Sequence, residues 1–166
     1  MQNNMLKVFM WIWKSIDILM AVILAFMVVL VFVNVVLRYG FSSGLRPSVE
    51  LSRLGLVWVV MLGAAVVLRR GDHLAVAEFS EKLLPRAVPF LRRICWVIIT
   101  VSVGMLYIGS YRQMMSNWSD ISPLTGLPSS LFYMAGVVSG LLMGVIAVVR
   151  IINPNWLLDN VDMEKQ

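Results

Sequence analysis

The sequence predicts an all-α membrane protein of four transmembrane helices, with both termini on one side and short interfacial helical segments. Three observations predict it. Of 166 residues, 60% are hydrophobic and only 14% charged, where a soluble domain carries roughly a quarter charged residues. Mean hydropathy is +0.84. Apolar runs recur four times, each close to the ~20 residues that cross a hydrocarbon core of ~30 Å at 1.5 Å per residue. These runs use almost the whole chain. It reads as a single membrane domain, 1–166, with no room for a second, soluble domain.

The elements follow in order. Residues 1–15 carry Lys7, Trp11, Trp13 and Lys14, residue types that suit the membrane–water interface. Leu6, Met10 and Trp13 share a helical face, so this stretch is a short interfacial helix or a helical lead-in. It does not read as a cleaved signal peptide, because the apolar run is too long and no small-residue cleavage site follows. The first span is 16–37. Ala21 and Ala25 form a small-xxx-small pair for close helix approach, and Asn34 is expected to bond a neighbouring helix. Residues 39–48 are a connection with the turn formers Gly40, Gly44 and Pro47.

The second span is 49–68. The connection 69–93 carries Arg69, Arg70, Lys82, Arg86, Arg92 and Arg93 and is broken by Pro85 and Pro89. Val76, Phe79 and Leu83 recur there at helical spacing opposite Glu78 and Glu81, which predicts a helix lying in the interface over 74–84. The third span is 94–115, with Gly104 and Gly109 as expected close-contact points and Arg112 able to snorkel. Residues 116–128 are polar and turn-rich. The fourth span is 129–152, where Gly136, Gly140 and Gly144 make a repeated GxxxG ridge, for packing within the bundle or against a partner. The tail 153–166 is polar, with an interfacial Trp156.

The net charge of +5 comes from basic residues that flank apolar runs, a pattern of orientation and anionic-lipid contact. No basic patch interleaved with aromatics is present, so nucleic acid is not an expected partner. Lys and Arg divide ten to four between the side holding the termini and the long connection and the side holding the two short connections. The positive-inside rule places both termini and the long connection in the cytoplasm. Arg69, Arg70 and His73 are expected at phospholipid headgroups.

Most catalytic classes are excluded by what the chain lacks. A haem between helices needs two strong axial ligands at membrane depth, and His73 is the sole histidine and lies in a connection. This argues against a respiratory anchor subunit. There is no zinc-ligand cluster, no intramembrane GxSxG and no Walker A loop. Cys95 is alone, cannot form an internal disulfide and reads as a small buried hydrophobe. No enzyme activity, metal or cofactor is expected.

The informative residues are the charges that head the second span. Glu50 and Arg53 are three apart, so their side chains can meet, and Arg38 at the end of the preceding span can also reach Glu50. Three uses are open: a structural ion pair, an anchor for a second membrane protein, or a proton- or cation-carrying acid as in a self-sufficient four-helix multidrug exporter. Arg53 weakens the third, since it neutralises the carboxylate and repels a cation.

Several motifs carry a resemblance that runs from the first span to the fourth. They are Asn34-Val35-Val36-Leu37-Arg38-Tyr39, then Glu50 with Arg53 and Trp58, then Leu62-Gly63-Ala64, Arg69-Arg70-Gly71-Asp72-His73, Gly126-Leu127-Pro128 and Tyr133. In this order and spacing the chain resembles the small membrane subunit, DctQ type, of tripartite ATP-independent periplasmic (TRAP) transporters. It departs from the family in lacking a tryptophan just before Glu50 and a proline in the fourth helix, where Ala135-Gly136-Val137 stands. The resemblance implies a non-catalytic subunit of a bacterial inner-membrane transporter. It would pair with a large multi-span subunit that carries the sodium and substrate sites, and help receive a periplasmic substrate-binding protein. The substrates implied are organic acids, sialic acid rather than C4-dicarboxylates. Arg38, Glu50, Arg53 and Trp58 are then expected at the large-subunit interface or in a structural ion pair. Ser42, Arg46, Trp118 and Asp120, in the outward loops, are expected to touch the periplasmic protein.

Overall fold

A computed structural model describes residues 2–41, 43–70 and 88–152. They form four helices, α1 (Gln2–Gly40), α2 (Pro47–Arg70), α3 (Val88–Ser116) and α4 (Ser130–Ile152). Each contains a stretch long and apolar enough to cross a membrane: Trp11–Gly40, Pro47–Arg69, Arg93–Ser116 and Ser130–Ile151. The fold is all-α, with no strand among the described residues. The interfacial segment expected over 74–84, His73 and Ser42 lie outside the described residues.

Two helices start earlier than the sequence suggests. The lead-in and first span are one continuous helix of 39 residues, about 58 Å long at 1.5 Å per residue. No glycine or proline interrupts residues 2–38, so nothing stops propagation. Likewise Pro89 does not break the chain ahead of α3. It sits in that helix's first turn, where its missing N–H has no intrahelical acceptor to serve.

The described residues divide into two compact units. The first holds α1, α2 as far as Gly63, and Gln113–Ala135. In it, Trp13, Ile16, Met20, Ile23, Met27, Leu30, Asn34 and Leu37 form the covered stripe of α1, spaced alternately three and four residues apart. That is the spacing of a coiled-coil seam. Outside the stripe the middle of the helix is apolar and exposed, as at Val22, Phe26, Val29 and Phe32. Gly55 of α2 meets the seam so closely that an added Cβ would lie 2.8 Å from Met27, and Gly63 faces Met20. The small residues of this antiparallel pair are therefore on α2. Ala21 and Ala25, expected to serve that purpose, are exposed on the other faces of α1. Trp13, expected at the interface, is 3% exposed and lies in the seam, whereas Trp11 is 73% exposed.

The turn between α1 and α2 is built from side chain and backbone together. The amides of Phe41 and Ser43 both donate to the Leu37 carbonyl, each at 3.1 Å. Asn34 Oδ1 accepts from the Leu45 amide at 2.8 Å. Asn34 thus fastens the connecting turn rather than bonding a neighbouring helix, because its position less than two turns from the helix end brings it level with the returning backbone.

The second unit holds Ala64 to the end of α2, α3 through Arg112, and α4 from Gly136. Here the glycine ridge of α4 packs on α3. A Cβ at Gly136 would lie 3.0 Å from Ser110 Cβ, at Gly140 3.3 Å from Tyr107 Cβ, and at Gly144 3.8 Å from Val103 Cγ1. Gly104 and Gly109, expected contact points of α3, face open space within 4 Å. At the end of α2 the Arg150 guanidinium donates to the Arg69 carbonyl and lies 4.8 Å from the centroid of the Trp96 ring. That carbonyl is one of the last four of α2, which lack intrahelical donors and carry the negative end of the helix dipole. Arg69, expected at headgroups, is 5% exposed, and Arg150 is 2% exposed. The carbonyl at Arg69 is bonded from α4, which draws this turn inward.

Candidate functional site

The charged head of α2 belongs to the first unit. Pro47 opens the helix with its fixed φ, and Glu50 falls in the first turn. A carboxylate there is favoured by the unpaired amides and positive dipole end of the helix.

Glu50 is held by the loop between α3 and α4. That loop is a small, tightly bonded hairpin. Ser129 N donates to Asp120 O at 2.8 Å and Ser122 N to Leu127 O at 3.0 Å, with Ile121 bridged to Pro128 between them. The Gly126 amide returns to Ser122 O at 2.9 Å, and Gly126 has φ of 71°, a left-handed conformation that glycine adopts without steric cost. This closure sets the Ser122 hydroxyl. It accepts from the Leu124 amide at 3.2 Å and donates to Glu50 Oε2 at 2.6 Å. A hydroxyl donating to a carboxylate at this distance is a charge-assisted bond.

Beside the bond is an open cleft of about 600 Å³. Val49, Glu50 and Arg53 line it from α2; Asn117, Asp120, Ser122, Leu124 and Ser129 from the loop; Phe132 and Tyr133 from α4. On the other flank Glu50 borders a second, small cavity lined mainly by Leu51, Leu54, Leu127, Pro128, Leu131 and Phe132. Two acids and one base therefore share a partly apolar opening. The lining offers charge and hydrogen bonds but no histidine, lysine or thiol. Among the described residues no group of three potential metal ligands is found. The arrangement suits recognition and not bond-making.

The structure thus draws together Glu50, Arg53 and Asp120, which the sequence reading divides between two expected interfaces. No ion pair joins Glu50 to Arg53 or Arg38 among the described residues; Ser122 takes the carboxylate instead. Arg53 is exposed, on a stripe of α2 that also shows Val49, Leu56 and Val60. Arg38, Arg46 and Trp118 are exposed and do not line the cleft, and Trp58 is half-buried two turns further along α2. Sequence reasoning missed Ser122 and Phe132. Nothing local marks Ser122 apart from Ser116, Ser119 or Ser129, since its acceptor is 72 residues away.

Comparison with known proteins bears on this arrangement as a whole. Residues 27–154 match the family described as tripartite ATP-independent periplasmic transporters, DctQ component. The chain is 36% identical over 140 residues to a Haemophilus influenzae protein named as a TRAP transporter small permease, a match covering 84% of this chain and 87% of that one. A second such protein of Haemophilus influenzae is 32% identical over 138 residues, 81% of each chain. The sialic acid TRAP transporter small permease protein SiaQ of Vibrio cholerae is 27% identical over 111 residues, 67% of this chain and 64% of that one. The matched region contains the head of α2, the hairpin loop and the glycine ridge. The chain belongs to the DctQ component family of TRAP transporters, and is a small permease subunit of a transporter and not an enzyme.

Proposed function

We propose that this subunit is a static scaffold of a sodium-driven importer of organic acids in the bacterial inner membrane. It would brace a large multi-span subunit that carries the sodium and substrate sites, and would help receive a periplasmic substrate-binding protein. Both termini would lie in the cytoplasm and the α3–α4 loop in the periplasm, a reading that the ten-to-four division of basic residues supports. Sialic acid is favoured over C4-dicarboxylates as the substrate; the likeness to the Vibrio cholerae sialic acid small permease supports that choice.

The observation that carries this reading is the state of Glu50. An exporter working alone needs an acid that exchanges protons or cations at membrane depth. Here the carboxylate sits in the first turn of α2, bonded to Ser122, with Arg53 lining the same cleft. Such a group fastens elements and presents a surface. The remaining span surface is largely exposed and apolar, as at Val22, Phe26, Val29 and Phe32 of α1. That surface can meet lipid or another membrane subunit.

Gentle detergent purification with mass identification of co-eluting chains tests the proposal. A large hydrophobic subunit is expected to co-elute, and Glu50→Ala or Arg53→Ala to reduce its yield. Substrate uptake by vesicles holding this chain alone would overturn the reading.

A further inference from the structure

We infer that the cleft between the head of α2 and the α3–α4 hairpin is a socket for a lysine or arginine side chain of the soluble substrate-binding protein. The inference rests on the scaffold reading above and adds the chemistry by which the site chooses its partner.

Three observations lead to it. The first is charge. Glu50 and Asp120 line the opening and Arg53 lines it with them, so the cleft carries one excess negative charge. An organic acid is a poor occupant for such a site, which separates it from the substrate path. A cation is a good one. The carboxylate of Glu50 is already oriented by Ser122, so a cation meets a group whose position is fixed.

The second is the lining. Phe132 and Tyr133 stand in the cleft with the two acids. Aromatic faces attract ammonium and guanidinium groups, and they cover the apolar stem of a long basic side chain. The third is the loop itself. Trp118, Ile121 and Leu124 are 59%, 62% and 52% exposed on a loop outside the membrane-crossing stretches. That loop is tied by its own backbone bonds, so its apolar side chains are presented on a fixed frame. Charges bordered by apolar and aromatic side chains, which a docking partner would cover, are how a protein interface concentrates binding energy. The loop's place outside the spans favours a soluble partner over a transmembrane helix. Arg53 adds a register: the partner's base must approach on the Asp120 side, with an acid or a polar group opposite Arg53.

The test uses the purified two-subunit membrane complex in nanodiscs and its soluble binding protein. The Asp120 side chain makes no hydrogen bond among the described residues, while its carbonyl holds the hairpin, so side-chain replacement spares the frame. Asp120→Lys is expected to weaken binding at least about tenfold at low salt, with the difference shrinking as salt screens it, and Asp120→Asn to weaken it by a smaller factor. The association rate should fall more than the dissociation rate rises, as for a charge at an interface rim. Protein footprinting should show a basic residue of the binding protein protected by the wild-type complex and released by Asp120→Lys. If Asp120→Lys and Tyr133→Ala both leave affinity within twofold of wild type, the socket is wrong while the scaffold reading stands. If the small subunit fails to co-purify with a large one, the scaffold reading itself fails.

Discussion

Ser122 sits in a loop, yet its hydroxyl controls how the acid of α2 is used. It donates to Glu50 Oε2 and accepts from the Leu124 amide, so one side chain links the start of a helix to the turn of a hairpin. Ser122→Ala removes a bond to a charged acceptor, worth about 1.5–3 kcal/mol when well enclosed. Glu50 is half-buried at the edge of an open cleft, where water replaces part of the loss. The expected cost is about 1 kcal/mol. It should be read as a lower thermal midpoint of the purified complex, and Ser122→Thr should restore most of it. A double-mutant cycle with Glu50→Gln should show that the two changes are not additive. An unchanged midpoint in Ser122→Ala would mean that the bond contributes nothing. At this scale the sequence disclosed the acid and concealed its partner. A carboxylate in an apolar helix stands out against its neighbours, whereas a serine in a serine-rich loop does not.

At the scale of elements, the glycine ridge of α4 shows how spacing and surroundings differ as guides. Gly136, Gly140 and Gly144 recur every fourth residue, so they share a face whatever the neighbours, and that much is legible in the sequence. Gly104, Gly109, Ala21 and Ala25 look equally suited to close approach, but Gly104 and Gly109 meet no described side chain within 4 Å and Ala21 and Ala25 are exposed. Which face of a helix meets another is a property of the pair, and a uniformly apolar helix does not announce it. The seam of α1 is hidden for the same reason, since isoleucines and leucines stand both inside it, as at Ile16 and Leu30, and outside it, as at Ile18 and Leu24. The structure predicts a graded series. Gly140→Ala brings a methyl to 3.3 Å from Tyr107 Cβ and 3.4 Å from its Cα, and backbone cannot swing aside. The cost should be about 1–3 kcal/mol, the usual range for overpacking. Gly144→Ala, at 3.8 Å, should be tolerated. Gly104→Ala meets nothing and gains helix propensity, so it should be neutral or stabilise by up to about 1 kcal/mol. Thermal unfolding of the three variants checks the order, and a Gly104→Ala variant as unstable as Gly140→Ala would contradict it.

For the whole molecule, the deciding quantity is the distribution of charge along the chain. Four stretches long and apolar enough to cross a membrane, with ten basic residues on the side of the termini and four on the other, predict a direction of insertion. Most of the fold class was legible from this pattern, because hydrocarbon thickness sets span length and the bilayer leaves few alternatives to helices. The internal pairing was not, for the reasons already seen at Ser122 and along α1. The direction of insertion has a consequence for the cleft. If the termini are cytoplasmic, the loop carrying Asp120 and Ser122 faces the compartment of a soluble binding protein; if they are not, the socket faces away from any such partner. Alkaline phosphatase fused after Ser119 should be active, since the enzyme folds only after export. Fused after Gln166 it should be inactive, while a fluorescent protein at that position should fold and fluoresce. The opposite pair of results would invert the topology and remove the socket with it, yet leave membership of the family intact. Because Arg38, Arg46, Arg53 and Arg112 oppose the larger set on the side of the termini, substituting bases in the 69–93 stretch should raise the inverted fraction in steps as the difference narrows.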